Sequence, residues 1–141
     1  MLTGGLALAG AACSPTSTES TTSSTTAAPT TGGSSAPAGA TSYQTIAGLH
    51  QAIVDAGFAC TLEYPGLKDD TSQNEVSICT IEDEQAFLTI WADPANLADF
   101  TTSPDGATGT VAIGADWTIS VTTSDLAGRL ADALGGTAPG A

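Results

Sequence analysis

The chain contains very little positive charge: among its 141 residues Lys68 and Arg129 are the only basic ones besides a single histidine, against 15 acidic residues. Nucleic-acid binding depends on Lys and Arg side chains that neutralise phosphates, and adhesion to anionic lipid headgroups needs a basic cluster. The composition therefore excludes nucleic acid as a partner. The negative surplus favours solubility and keeps copies of the chain apart, so we expect a monomer.

Short catalytic motifs are also lacking. The sequence has no Gly-x-Ser-x-Gly elbow, no His-Glu-x-x-His pair and no glycine-rich phosphate loop. His50 is the only histidine, and we expect it at the border of a helix's apolar face. These absences favour a non-enzymatic protein without a cofactor. The alternatives are a weakly cation-assisted enzyme of the envelope or wall and a passive secreted structural domain.

A long hydrophobic run is missing at the N-terminus, where residues 1–12 instead resemble an export signal. Leu2 to Ala12 is uncharged and mostly apolar but has 11 residues, whereas a membrane-spanning helix needs about 20. The end of this stretch, Ala9-Gly10-Ala11-Ala12-Cys13, resembles the relaxed lipobox of bacterial lipoproteins. The resemblance implies a diacylglyceryl group on Cys13, and two acyl chains suffice for a stable anchor at the outer face of the cell membrane.

Two features depart from the lipobox pattern. Gly10 stands where leucine is preferred, and Met1-Leu2 supplies no positive n-region. Either the true start lies upstream or the segment is not a working signal. Ordinary secretory cleavage, for example after Ala9 or Ala11, is the alternative, and it would release the protein without an anchor.

Residues 13–41 contain almost no large apolar side chain. From Ser14 to Thr41 the chain is nearly all Ser, Thr, Ala, Gly and Pro. Such a segment cannot bury enough surface to offset the ~1–2 kcal/mol per residue that ordering the backbone costs. We therefore predict a disordered tether with an r.m.s. span of about 30 Å. A bare spacer is favoured over an O-glycosylated stalk, which has a similar composition.

The three cysteines are an odd number, which an exported protein must accommodate. Lipidation of Cys13 leaves Cys60 and Cys79 to form a disulfide. The first predicted hairpin agrees, because pairing Tyr64 with Glu75 sets Cys60 opposite Cys79 with Cβ atoms ~4.5–5.5 Å apart. A redox-active pair is disfavoured, since Cys-x-x-Cys spacing and a cationic neighbour are both missing.

Residues 42–136 hold both basic residues and 14 of the acidic ones, a net charge of −12, and show the periodicity of one small α+β domain. A capping-box pattern, Thr41 to Gln44, predicts the start of a first helix whose inward face carries Ile46, Leu49, Ile53 and Val54, with Gly57 after its end. Alternation predicts strands over 58–64, 75–81 and 85–91.

The second half of this domain repeats the alternation of helix and hairpin. Asp93-Pro94 predicts a helix start, with Leu97 and Phe100 facing inward. Strands are predicted over 110–113 and 116–121, joined by a type II′ turn at Gly114-Ala115. A final helix runs from Ser124 to Gly135-Gly136. The order αβββαββα predicts an antiparallel sheet of about five strands with helices on one face, followed by a tail over 137–141.

Two groups of residues are candidate binding sites. Trp91 and Trp117 each lie in a predicted strand; core positions are the simpler interpretation, and a binding face of the sheet is the functional one. Asp69, Asp70 and Glu75 share a loop, but their spacing lacks the EF-hand pattern and its glycine, so they are weak candidates for calcium.

The whole plan resembles the small lipoproteins of unassigned function found in high-GC Gram-positive bacteria. The resemblance depends on Cys13, the Ser/Thr-rich tether, the Cys60 and Cys79 pair, and the last hairpin and helix around Ala112 to Trp117. It implies a lipid-anchored protein of the cell envelope and carries no activity. We therefore predict a displayed binding domain whose partners are the membrane, through Cys13, and an unidentified envelope or extracellular protein.

Overall fold

The structure is a computed structural model that describes residues 40–106 and 109–140. The signal-like segment 1–12, Cys13 and nearly all of the tether lie outside the described residues, so the expectations about them stay predictions. No helix among the described residues is long and apolar enough to cross a membrane.

The described part of the chain is an α+β domain, as predicted. Its three helices and six strands are α1 (Ile46–Asp55), β1 (Thr61–Leu62), β2 (Leu67–Lys68), β3 (Glu75–Ile81), β4 (Glu84–Ile90), α2 (Pro94–Thr102), β5 (Val111–Ile113), β6 (Trp117–Ser120) and α3 (Ser124–Leu134). The strands form one antiparallel sheet in the order β1-β3-β4-β6-β5, with β2 also paired to β3.

The first predicted strand, 58–64, is wrong in its extent and its register. Only Thr61–Leu62 forms a regular strand there, and Leu62 lies opposite Cys79 rather than Ser77. The chain then bulges through Pro65 and Gly66 and pairs again as β2. Proline has no N–H for the ladder, and Gly66 has a φ of 81°, so the strand is interrupted at this point.

The Cys60–Cys79 disulfide forms despite the shifted register. Cys60 precedes Leu62 by two residues and therefore reaches Cys79 diagonally, with a Cα–Cα distance of 5.5 Å. Both cysteines belong to the main core. The bond therefore ties the segment before β1 to the middle of the sheet.

The first helix begins later than the capping-box pattern predicts. Its N-cap is Thr45, whose hydroxyl accepts a hydrogen bond from the Gly48 N–H at 3.1 Å. Gln44 has a φ of 59°, so the helix cannot extend back to Thr41. Three of the four predicted inward residues are buried, but Val54 is 43% exposed.

Helices cover both faces of the sheet, not one. The inward residues of α1 and α3 form the main core with alternate residues of β3, β4 and β6, among them Leu88 and Ile119. Leu97 of α2 packs instead with Val111 and Ile113, which project from the other face. This second core covers the sheet only at β5 and β6, so the three helices leave the other half of that face uncovered.

The β5–β6 turn differs from the predicted type II′ turn. The Gly114 N–H donates to the Trp117 carbonyl at 2.9 Å, so Ala115 and Asp116 are the two loop residues. Gly114 does not adopt the left-handed backbone that a type II′ turn requires. Glycine is needed here for a different reason: a Cβ at this position would overlap the Trp117 indole.

We expect Gly114→Ala to destabilise the domain by about 1–3 kcal/mol, because the new methyl group forces the hairpin away from a buried indole. Urea unfolding measures the loss. The control is Ala115→Gly next to it, which should cost less than about 1 kcal/mol because it only adds backbone freedom. Equal stability of Gly114→Ala and the parent chain would contradict the contact.

The domain extends beyond its predicted limits of 42–136. Thr41 donates its N–H to Gly135 at 3.2 Å, so the last residue assigned to the tether belongs to the fold. Thr137, assigned to the tail, exchanges two backbone hydrogen bonds with Ile113 at 2.8 Å each. The chain on both sides of the domain is therefore attached to the same end of the sheet.

Candidate functional site

Trp117 is a core residue and does not form a binding face. Its side chain has no exposed surface, and its Nε1–H donates to the Thr41 carbonyl at 2.8 Å. The Tyr43 ring lies against it at 5.9 Å between centroids. The indole therefore holds the entry of the chain into the domain, which sequence alternation alone does not indicate.

Trp91 lies on the opposite side of the sheet from Trp117. It follows β4, is half-buried and contacts the Phe100 ring at 5.2 Å. Its Nε1–H donates to the Thr118 hydroxyl at 3.1 Å. The two tryptophans therefore share no surface, and the predicted binding face made from both is wrong.

Trp91 does line a cleft with a volume of about 510 Å³. The cleft lies where the entry to α1 meets the end of β4, and its wall includes Lys68, Glu75 and Asp116. Both carboxylates are already engaged by the protein. The cleft therefore has the size of a ligand site, but its two carboxylates already accept hydrogen bonds from backbone N–H groups.

Asp116 fixes the segment before α1. Its carboxylate accepts hydrogen bonds from the Ser42 hydroxyl at 2.5 Å and from the backbone N–H groups of Tyr43 and Gln44 at 3.1 and 3.0 Å. More than 70 residues separate these partners in the sequence. No local signal could have identified this role.

The acidic residues considered for calcium are not brought together. Glu75 accepts a hydrogen bond from the Ile46 N–H at 3.1 Å, so it serves the first turn of α1. Asp69 accepts from the Thr71 N–H at 2.7 Å, and this bond, with those from Ser72, lowers the pKa of its carboxyl group. Asp70 is exposed. Among the described residues, no group of three or more His, Cys, Asp or Glu side chains could hold a metal ion.

His50 has a structural contact at the border of α1. Its Nε2 lies 2.8 Å from the Cys60 carbonyl oxygen. A carbonyl only accepts, so Nε2 carries the hydrogen. The imidazole therefore supports the backbone at the disulfide, which agrees with the expected border position.

Arg129 of α3 forms an ion-pair network with two carboxylates. Its guanidinium donates to both carboxylate oxygens of Glu82 and to Asp125, and it lies over the Phe58 ring at 5.7 Å. The hydrogen bonds from Arg129 lower the pKa of Glu82. Glu82 and Asp83 both have positive φ, at 51° and 69°, as in a type I′ turn. The network thus braces the β3–β4 turn.

The uncovered half of the sheet carries an exposed apolar surface, here called the open sheet face. Cross-strand pairing places Ile78 opposite Phe87 and Val76 opposite Leu67 on this side. Phe87 is 49% exposed and Leu67 is 56% exposed. The polar neighbours Thr80 and Gln85 form the next pair, and Thr89 lies opposite Val76.

Sequence reasoning expected a binding face of the sheet but assigned it to Trp91 and Trp117 and missed Phe87, although a signal for Phe87 exists. Alternation in β4 puts Ala86, Leu88 and Ile90 inward and therefore directs Phe87 outward. A large aromatic side chain on the outward side of an alternating strand is unusual unless something covers it. Whether a helix covers it cannot be read from the strand itself.

The Tyr43 hydroxyl offers a direct test of the packing around Asp116. Burial raises its pKa above the ordinary value of 10.0, and the Asp116 charge raises it further. In a Tyr64→Phe variant, which leaves this one phenol of the chain's two, we expect phenolate absorbance to appear with a midpoint above 10.0. Adding Asp116→Asn should move the midpoint back toward 10.0, because the charge is removed.

The raised pKa of Tyr43 also determines whether the stability of the fold rises or falls with pH. A folded-state pKa above the unfolded value means that the Tyr43 contribution is complete below pH 10.0 and is lost as pH rises through the folded pKa. The melting temperature of the parent chain should therefore fall as the pH rises through that alkaline range. The melting temperature of Tyr43→Phe should fall less over the same range. A Tyr43 midpoint at or below 10.0 in the folded chain would contradict a half-buried phenol whose hydroxyl donates to the Leu134 carbonyl at 3.2 Å.

Comparisons with known proteins do not assign this domain. The chain matched no protein-family model, no curated protein and no solved structure. What the domain does must therefore be inferred from its own residues.

Proposed function

We propose that this protein is an exported lipoprotein, anchored through Cys13, that displays a small non-enzymatic binding domain at the cell envelope. The observation that carries the export is the Cys60–Cys79 disulfide. Disulfides persist in oxidising compartments outside the cytosol, and this one leaves Cys13 as the odd cysteine beside a lipobox-like sequence.

The binding role is supported by the open sheet face. Soluble domains seldom leave contiguous large apolar side chains uncovered, and such patches mark interaction sites. Here the exposed Phe87 and Leu67 flank the half-buried Ile78 and Val76 on three adjacent strands. Aromatic side chains in such positions contribute strongly to binding energy.

The point of attachment also suits display. Thr41, where the predicted tether joins the domain, is held by Trp117 and Gly135 beside the β5–β6 turn. The open sheet face lies on the β2, β3 and β4 part of the other side. Thr41 therefore lies on the side of the sheet opposite the surface that would bind.

The enzymatic alternative receives less support from the cleft near Trp91. A general acid, a general base or a metal site requires carboxylates that are free to act on a substrate. Glu75 and Asp116, which line the cleft, already accept backbone hydrogen bonds that hold α1 and its entry.

Photo-crosslinking in intact cells of the producing organism tests the binding role. A benzoyl-phenylalanine replaces Phe87 in one chain and Val54 in a matched control, since Val54 is also exposed but lies on α1, across the sheet. We expect the probe at position 87 to give a defined adduct with an envelope or extracellular protein and the probe at position 54 to give none. No adduct at position 87, or the same adducts at both positions, would contradict a binding role for this face.

A further inference from the structure

We propose that the open sheet face binds a protein segment that presents apolar side chains next to a lysine or arginine, and that Glu63 pairs with this cation. The proposal rests on the binding function proposed above and adds the chemistry of the partner. Three observations support it: the apolar row, the position of Glu63 and the distribution of charge.

The apolar row crosses three strands. Leu67 of β2 lies opposite Val76 of β3, and two residues along β3 Ile78 lies opposite Phe87 of β4. Directly opposite side chains have Cβ atoms ~4.5–5.5 Å apart, so the four form one continuous surface. A partner must cover it with apolar side chains of its own to remove it from water.

Glu63 lies at the edge of this surface. Its backbone N–H donates to the Ile78 carbonyl at 2.8 Å, which continues the β1–β3 pairing by one residue. Alternation along the strand then places its side chain on the same side as Thr61 and Ile78. Glu63 is exposed, and no other described residue gives its carboxylate a hydrogen bond or an ion pair.

No cation of this protein is placed to neutralise Glu63. The chain has two basic residues, and Arg129 is held by Glu82 and Asp125. Lys68 lies opposite Glu75 and lines the cleft on the other side of the strand. A partner that covers Glu63 therefore has to bring the positive charge that complements it.

Other occupants fit the surface less well. A second copy of this chain would bring its own net charge of −13 against a surface bordered by a carboxylate. The chain's own residues 14–40 offer no apolar side chain larger than proline. Anionic lipid headgroups would be repelled by Glu63 as well. A protein segment with both apolar and basic side chains can cover the apolar row and also pair with the Glu63 carboxylate.

The experiment uses the full chain carrying Cys13→Ser, which stays free of lipid, and two short synthetic peptides. One peptide alternates leucine with lysine and the other alternates leucine with glutamate. NMR titration gives both the affinity and the residues whose signals move. We expect the lysine peptide to bind at the open sheet face and the glutamate peptide to bind at least about tenfold more weakly.

Three variants separate specific pairing from general attraction. Phe87→Ser should weaken binding of the lysine peptide about tenfold, because it removes the aromatic centre of the surface. Glu63→Gln should weaken it about threefold, as expected for a rim charge pair. The matched control is Asp132→Asn, which makes the same charge change at an exposed residue of α3, on the other side of the sheet. It should not change the affinity for the lysine peptide.

Each other result identifies what fails. Equal losses for Glu63→Gln and Asp132→Asn, or signal changes away from the open sheet face, would overturn the proposal as diffuse attraction. Loss with Phe87→Ser but none with Glu63→Gln would keep the binding face and overturn the basic partner. A concentration-dependent dimer in sedimentation that Phe87→Ser abolishes would make a second copy the occupant. If none of the variants changed the binding of the lysine peptide, the proposal that this face binds a partner would be wrong.

Discussion

Replacing Trp117 by alanine is expected to cost about 3–5 kcal/mol of unfolding free energy, the largest loss for a single side chain in this domain. The indole has no exposed surface and packs with residues of α1, α3 and the sheet. Its removal leaves a cavity and also leaves the Thr41 carbonyl without its 2.8 Å donor. Domains of this size have a total stability of about 5–15 kcal/mol, so this loss would be a large share of the total.

The matched control is Trp91→Ala. Trp91 is half-buried and packs mainly against Phe100, so its loss should cost about 2 kcal/mol. Chemical denaturation followed by far-UV circular dichroism compares the two variants without relying on tryptophan fluorescence. A loss for Trp91→Ala equal to or larger than that for Trp117→Ala would contradict the placement of Trp117 in the main core.

Removing the disulfide is expected to produce the second large effect. The bond between Cys60 and Cys79 closes a loop with a sequence separation of 19, for which chain entropy gives about 3 kcal/mol. In a Cys60→Ala and Cys79→Ala double variant the melting temperature should fall by about 15 °C. Alanine is chosen because both positions are buried and a serine hydroxyl would need a partner there.

Reduction of the parent chain is the independent check on this value. The reduced protein should melt close to the double variant, and the reductant should leave the double variant unchanged. If the reduced parent melted at the same temperature as the oxidised one, the disulfide would not be a source of stability in this domain.

The elements that the sequence predicts well are those with strong local signals. Strand β3 has its predicted bounds, 75–81, because its residues alternate between the two faces of the sheet without interruption. Val76 and Ile78 lie on one face, and Cys79 lies on the inward face. Asp93 caps α2 as predicted, with its side chain accepting from the Ala95 N–H at 2.9 Å. Helix α3 begins at Ser124 and ends before Gly135, which has the left-handed φ of 72°.

Of the two elements that it predicts poorly, one depends on a partner far away in the chain and the other on a local interruption. Thr41 and Gln44 have the spacing of a capping box, but Asp116 binds the backbone of this segment and the helix begins after Thr45. The strand predicted over 58–64 is cut short where Pro65 and Gly66 interrupt the ladder. In the first case a tertiary contact overrides a local pattern. In the second case the proline without an N–H and the positive φ of Gly66 interrupt the strand locally.

The candidate site was harder to predict than the fold for a related reason. Both sides of β4 carry large apolar residues, with Leu88 on one side and Phe87 on the other. Leu88 is buried in the main core with α1 and α3, whereas Phe87 stays exposed because α2 packs on Val111 and Ile113 of β5 instead. Alternation assigns a side to each residue, but it does not reveal which side a helix will cover.

The central claim is a lipid-anchored, disulfide-bonded chain, and intact mass spectrometry of the protein extracted from membranes of the producing organism tests it most directly. We expect a chain that begins at Cys13 and carries acyl groups, and that gains two hydrogen atoms on reduction as the Cys60–Cys79 bond opens. A water-soluble, lipid-free species that begins at another residue would contradict the anchor, and an unchanged mass on reduction would contradict the disulfide.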